Sequence, residues 1–241
     1  MKTVSIVLPV YRRTALLANT LDSIAKQFDV KPEVIVVEDR PADDSAERLC
    51  WRHDIKYWAS TKGSGYNNVS SIYNIGIKRA TGDIIVMQSA ECRFNSADGL
   101  RKLVAAIEDD ELKSAVPIVQ SLGPRGEFIE WYNHPRLGAR AGWTGFFCHA
   151  MNRSQLMKIG GYDEVFRGYG HDDDLLLFRM KWNGIQPQFV EDVLVTHQWH
   201  PRHQCVAGED SYNCGVRQAL EDAVRAGHLN VANLGREWGV I

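Results

Sequence analysis

The 241-residue chain has no C-x-x-C pair, and its five cysteines, Cys50, Cys92, Cys148, Cys205 and Cys214, are scattered and odd in number. That excludes a disulfide framework and predicts reduced thiols in a cytoplasmic setting. No stretch approaches the roughly eighteen apolar residues that a membrane-spanning helix requires. The apolar run in the opening MKTVSIVLPVYRR is too short for a secretory signal and contains Pro9. A soluble protein, at most peripheral, is therefore expected. A net charge of −2 provides no global field for a polyanionic partner, although a local basic groove stays open. There is no internal repeat, low-complexity segment or evident linker, so one domain is expected over residues 1–241. Against these absences stand 44% hydrophobic and 24% charged residues, the balance of a globular protein with a sizeable core.

Apolar runs alternate with helical patterns through the first half. Val4 to Val10, Glu33 to Val37, Ile55 to Ala59 and Ile84 to Gln88 read as strands, the first and last almost wholly apolar. Thr14 to Phe28, Asp43 to Trp51 and Val69 to Arg79 read as helices between them. This alternation predicts an α/β fold with a mostly parallel sheet and helices on both faces. Beyond residue 92 the pattern is less regular. Asp98 to Asp109, Ser154 to Ile159, Leu175 to Trp182 and Ser211 to Ala226 read as helices. Ala115 to Ser121, Phe128 to Trp131 and Gln188 to His197 read as strands.

Ligands of an open parallel sheet bind beyond the carboxyl ends of its strands. That rule marks Pro9 to Arg12, Glu38 to Pro41, the loop after Ala59, and Gln88 to Cys92. A second chemical signal is GGYDEVFRGYGHDDDLLLFRM, from Gly160 to Met180, with Asp172, Asp173 and Asp174 in a row. Crowded carboxylates repel one another, so they suit a base or a cation site at a pocket mouth. They equally suit the acidic first turn of a helix.

Four segments, in order, resemble the family-2 inverting glycosyltransferases of GT-A fold, a Rossmann-like nucleotide-diphospho-sugar transferase fold. They are SIVLPVYRR, VIVVEDRPADDS, NNVSSIYNIGIKRATGDIIVMQSAE and GGYDEVFRGYGHDDDLLLFR, spanning roughly residues 3 to 200. The resemblance implies transfer of a sugar from a nucleotide-diphosphate donor, with UDP the expected nucleotide, to an acceptor hydroxyl. It divides the chain into a nucleotide-binding half (about 1–92), an acceptor and catalytic half (about 93–205) and a C-terminal helix and tail (206–241). Pro9, Val10 and Tyr11 would form the base slot, with Glu38 or Asp39 accepting from the base. Pro9 and Tyr11 could instead pack a strand end on the next helix. Arg12 or Arg13 would offset diphosphate charge, and Asn74 and Gly76 would contribute helix packing and pocket wall. Trp143, Thr144, Gly145 and Phe146 would line the sugar end, unless Trp143 and Phe146 are core. Trp131, Tyr132 and His134 form a further cluster that could meet the acceptor.

The departure from the family pattern is at its metal motif. Where Asp-x-Asp is usual, this chain has Ser89, Ala90 and Glu91, so one carboxylate remains. A divalent Mn²⁺ or Mg²⁺ is still implied, held by Glu91 and by a histidine from VLVTHQWHPRHQC. His197 is the first choice and His200 the second, with His203 also present; imidazole suits Mn²⁺. A structural zinc with the nearby cysteines, or an aromatic and histidine corner around Trp199, are the alternatives. Asp172 is the implied general base for a single displacement, with Asp173 and Asp174 in the helix's first turn; His171 stands where the family often has Glu.

The acceptor stays open: a glycan, a lipid, a protein, or a hydroxylated base in nucleic acid. Basic residues of the second half, among them Arg125, Arg136, Arg140, Arg153 and Lys158, would suit a polyanion or be solvated surface. A nucleotidyltransferase-like enzyme and an inactive sugar-nucleotide-binding module are the competing classes.

Overall fold

Residues 4–10 alternate in pleat, and each face of the strand finds its own layer of helices. Val4, Ile6, Leu8 and Val10 share one buried cluster with Leu17, Leu21 and Ile24, while Val7 belongs to a second with Ile75 and Ile77. The computed structural model describes residues 2–61, 69–138, 147–168, 170–201 and 209–241.

The first half runs β1 (Val4–Val10), α1 (Thr14–Ala25), β2 (Glu33–Asp39), α2 (Ser45–Arg52), β3 (Lys56–Ser60), α3 (Val69–Arg79) and β4 (Ile84–Gln88). These four strands are parallel, in the order β3-β2-β1-β4. The rest runs β5 (Cys92–Phe94), α4 (Gly99–Ala105), β6 (Lys113–Leu122), β7 (Phe128–Tyr132), β8 (Cys148–Asn152), α5 (Arg153–Lys158), α6 (Asp172–Trp182), β9 (Gln186–His197) and α7 (Glu209–Arg225). The sheet continues through β8, β6, β9 and β5, with β7 paired to β6. β8, β5 and β7 run against the other six, so the sheet is mostly parallel with its reversals confined to the second half. Among the described residues no helix is long and apolar enough to cross a membrane.

Two strands escape the sequence pattern. β5 is three residues long, too short for periodicity to register. β8 is buried throughout, but its His149 and Asn152 break the apolar run. The helix expected to reach Asp109 ends at Ala105, and the one expected from Leu175 begins at Asp172.

One glycine sets the depth of packing on the nucleotide side. A side chain at Gly76 would run into Val7 Cγ1 and come within 3.4 Å of Val37 Cγ2, so only glycine lets α3 lie this close to β1 and β2.

Candidate active site

The sheet brings the loop after β4 beside the end of β9. Cys92 pairs with His197 across β5 and β9, and the Gln198 amide donates to the Glu91 carbonyl at 2.9 Å. Glu91 is thereby set against His197 and His200: its Oε1 lies 3.9 Å from His197 Nε2 and 3.5 Å from His200 Nε2. One ligand atom from each of the three lies within 4.8 Å of the others. Burial pushes the His197 pKa down to about 4 despite the neighbouring carboxylate. The ring is thus neutral near pH 7, the form that binds a metal. It packs edge-on against Phe147, with ring centres 4.9 Å apart. Burial alone would raise the Glu91 carboxyl, but its contact with His200 and the charges of Arg13 and the imidazoles outweigh that and lower it.

Arg13, more than Arg12, is the arginine of this centre, its guanidinium 2.5 Å from Glu91 Oε1. Arg12 turns aside at φ +52°, its guanidinium 5.1 Å from the centre of the Tyr11 ring. Arg40 lies over the same ring at 5.4 Å and pairs with Asp39 through two hydrogen bonds. Tyr11, Arg12, Asp39 and Arg40 therefore gather at the carboxyl ends of β1 and β2, beside the partly exposed Pro9. Glu38 is buried and accepts from the Tyr57 hydroxyl at 2.7 Å; burial raises its pKa.

Three expected donor contacts have their side chains committed elsewhere. Val10 is 2% exposed and packed in the core, so only its backbone can border a slot. Ala90 is likewise buried, its carbonyl accepting from the Thr20 hydroxyl. Asn74 is fully buried and spends its carboxamide on the Gly160–Glu164 loop. It donates to the Tyr162 carbonyl and to Glu164 Oε1, and accepts from the Tyr162 amide. Its part is to hold that loop. Ser89 is partly exposed, and its backbone amide donates to the Phe147 carbonyl.

The same loop explains the motif around Asp172. Gly160 and Gly161 have φ of +83° and +67°, and a side chain at Gly161 would press on Asn74 Oδ1. Asp163 forms a buried ion pair with Arg179 of α6, and Glu164 accepts from the Gly239 amide. Asn233 donates to the Gly160 and Tyr162 carbonyls and accepts from the Glu164 amide. Asp163 and Glu164 are thus committed to holding the loop. His171, in the left-handed region at φ +68°, ends the loop and faces Asp174 at 3.2 Å. Asp172 and Asp173 open α6, both carboxyls raised well above the usual range. Burial is the larger cause, with repulsion within the acidic run adding to it.

Tyr73 links the two centres. Its ring stacks on Tyr162 at 4.9 Å. Its buried hydroxyl, near Ser89, makes no well-aligned hydrogen bond to a described residue. Burial first, and then the charges of Glu91 and Asp172 among others, hold it un-ionised. The charges of Glu91 and Asp172 therefore both bear on this one hydroxyl.

Tyr73, Arg179 and Asn233 were not singled out from the sequence. All three become visible only when distant segments meet; of the arginine pair beyond β1 that the sequence offered, Arg13 is the one that reaches Glu91. Trp143, Thr144, Gly145, Phe146, Tyr169, His203 and Cys205 lie outside the described residues. Trp131 and His134 pack against each other on the β7 side with tilted rings, centres 5.7 Å apart.

Solved structures with this fold include GalNAc-T7 with UDP, GalNAc and Mn²⁺ (TM-score 0.71, 16% identity, covering 91% of this chain and 48% of that one). A mannosyltransferase from Pyrobaculum calidifontis, in complex with GDP-Man and Mn²⁺, aligns with a TM-score of 0.60 and 20% identity, covering 93% and 64%. S. aureus TarS 1–349 with UDP-GlcNAc gives 0.70 and 18%, covering 92% and 66%. The chain thus spans about half to two thirds of the length of these structures. No curated protein matches it in sequence. The sequence profile of glycosyl transferase family 2 matches residues 5–175, well over half of the chain, and the GT-A neighbours agree with it: the chain belongs to glycosyl transferase family 2.

Proposed function

We propose that this chain transfers a sugar from a UDP-sugar to an acceptor hydroxyl by a single inverting displacement, with Asp172 as general base. The observation that carries the proposal is the convergence of Glu91, His197 and His200 at the carboxyl end of the sheet. One carboxylate oxygen and two imidazole nitrogens suit Mn²⁺, softer than the all-oxygen set that Mg²⁺ prefers. The solved neighbours that hold UDP, GDP-Man or UDP-GlcNAc, two of them with Mn²⁺, support the same reading. When bound, the ion supplies positive charge against the departing diphosphate.

The chain's own residues do the rest. Residues 1–92 provide the nucleotide side: Tyr11, Pro9 and the Val10 backbone border the base, with Asp39 and Glu38 as the anchors for its polar edge. Arg13, already bonded to Glu91, adds a fixed cation beside the diphosphate. As the acceptor oxygen bonds to the anomeric carbon, the bond from that carbon to the diphosphate oxygen breaks. The acceptor proton passes to the Asp172 carboxylate, and UDP leaves with the bonding pair. The free thiols Cys50, Cys92, Cys148 and Cys214 support a reducing, cytoplasmic setting.

A panel of nucleotide-sugars tested by thermal shift, with and without Mn²⁺, examines this reading. A true donor at a hundred times its dissociation constant stabilises by about 2.7 kcal/mol. Glu91→Ala is expected to lose the Mn²⁺-dependent part of the shift; an unchanged dependence would overturn the metal assignment. No stabilisation by any nucleotide-sugar would overturn the function.

A further inference from the structure

A cleft of about 660 Å³ runs along the outside of α1, separate from the base slot. Its floor and walls come from α1 and the turn after it (Asn19 to Gln27), the β5 segment (Arg93 to Ala97), the β6–β7 turn, and Gln198 and Trp199. The α1 wall, Asn19 to Ala25, is about 9 Å long at 1.5 Å per residue. The cleft is open and mostly polar, which does not suit a small apolar ligand needing an enclosed apolar cavity. Trp199 is 45% exposed, presenting much of an aromatic ring to this opening.

Two cations line the cleft, Lys26 at the end of α1 and Arg93 on β5, and neither has an ion-pair partner among the described residues. Asp22 is the one carboxylate of the lining. The charge therefore favours an anion, while the exposed ring and surrounding amides suit stacking and hydrogen bonding to a hydroxyl-rich ligand.

The cleft shares a wall with the metal centre. Between His197 and His200, whose rings reach Glu91, the chain places Gln198 and Trp199 on the cleft. The Gln198 side chain donates to the Glu91 carbonyl at 3.1 Å and accepts from Asn19, itself a lining residue, at 2.7 Å. A ligand lying on Trp199 therefore ends beside the residues that position Glu91.

We propose that this cleft binds an anionic saccharide segment, the part of the acceptor distant from the reacting hydroxyl. The saccharide class rests on the transfer reading; the cleft, its charge and its link to Glu91 do not.

Calorimetric titration of the full chain with tetragalacturonate, neutral cellotetraose and oligothymidylate tests it. Saturable binding of the acidic tetrasaccharide is expected, stronger than of the neutral one and weakened by salt, as for exposed charges generally. The Lys26→Ala/Arg93→Ala variant, which leaves the metal centre untouched, is expected to weaken it about tenfold or more, a change of about 1.4 kcal/mol. Trp199→Phe, which keeps an aromatic ring, is expected to weaken it less than Trp199→Ala. Absent binding of tetragalacturonate, equal affinity in the double variant, or tighter binding of oligothymidylate would each overturn the proposal. Loss of saccharide binding with an intact shift by UDP-sugar and Mn²⁺ removes the cleft assignment alone. Intact saccharide binding without any donor shift removes the transfer reading alone.

Discussion

Three neighbouring carboxylates at the start of α6 do different work because their surroundings differ. Asp174 is engaged by His171, while for Asp172 and Asp173 burial and mutual repulsion outweigh their backbone hydrogen bonds and raise both. A base must be ionised to accept a proton, so turnover is expected to fall on acidification. It should do so at a higher pH than an ordinary aspartate, near 3.9, would give. Asp172→Asn should lower turnover by about 10²–10⁴-fold while donor binding persists, a contrast visible in rates set beside thermal shifts. The stability sign runs the other way. A carboxyl raised in the folded state favours folding at low pH, and that contribution is lost as pH rises through its folded pKa. Asp173→Asn keeps an oxygen for the Asp174 amide, now 2.9 Å away, and removes a charge. Its melting temperature is therefore expected to exceed that of the parent at pH 8, with the gain vanishing in acid.

At the scale of elements, α6 is fastened to the glycine loop through a buried ion pair. Arg179 is 1% exposed and donates through Nε and a terminal nitrogen to Asp163 Oδ2; it also reaches the Leu229 carbonyl. Removing one partner strands the other charge, so Arg179→Ala is expected to cost about 3–5 kcal/mol in chemical denaturation. Replacing both, as Arg179→Met with Asp163→Leu, should cost less than the single change, because no lone charge stays buried. An equal or larger loss in the double variant would mean that the pair acts mainly through packing.

Across the whole molecule, residues near the C-terminal end hold a loop laid down seventy residues earlier. Asn233 bonds to Gly160, Tyr162 and Glu164, the Ala232 amide donates to Ile159, and Lys78 lies 3.9 Å from the centre of the Trp238 ring. With Asp172 in its proposed role, turnover should therefore depend on a segment remote from the metal centre. Asn233→Ala leaves at least the Glu164 amide without its partner, at a cost of about 1–3 kcal/mol. The expected result is a lower denaturation midpoint together with a lower turnover, while the Mn²⁺-dependent donor shift, which rests on Glu91, His197 and His200, changes little.

The alternation of apolar runs and helical patterns was enough, by itself, to determine the parallel half of this protein. Burial on both faces demands nearly continuous β-branched and aliphatic residues, and β1 and β4 carry them. The sequence also marked Glu91, His197 and His200, because each follows or ends an apolar strand. Their convergence was a matter for the tertiary structure, since the antiparallel pairing of β5 with β9 joins segments a hundred residues apart, and β5 is too short to show any period. The same holds for Asn74, read from the sequence as packing and pocket wall, and for Asp163 and Glu164, to which the sequence assigned no role. Folding assigns them to one another, because a buried amide or carboxylate must find its partner wherever the chain brings one.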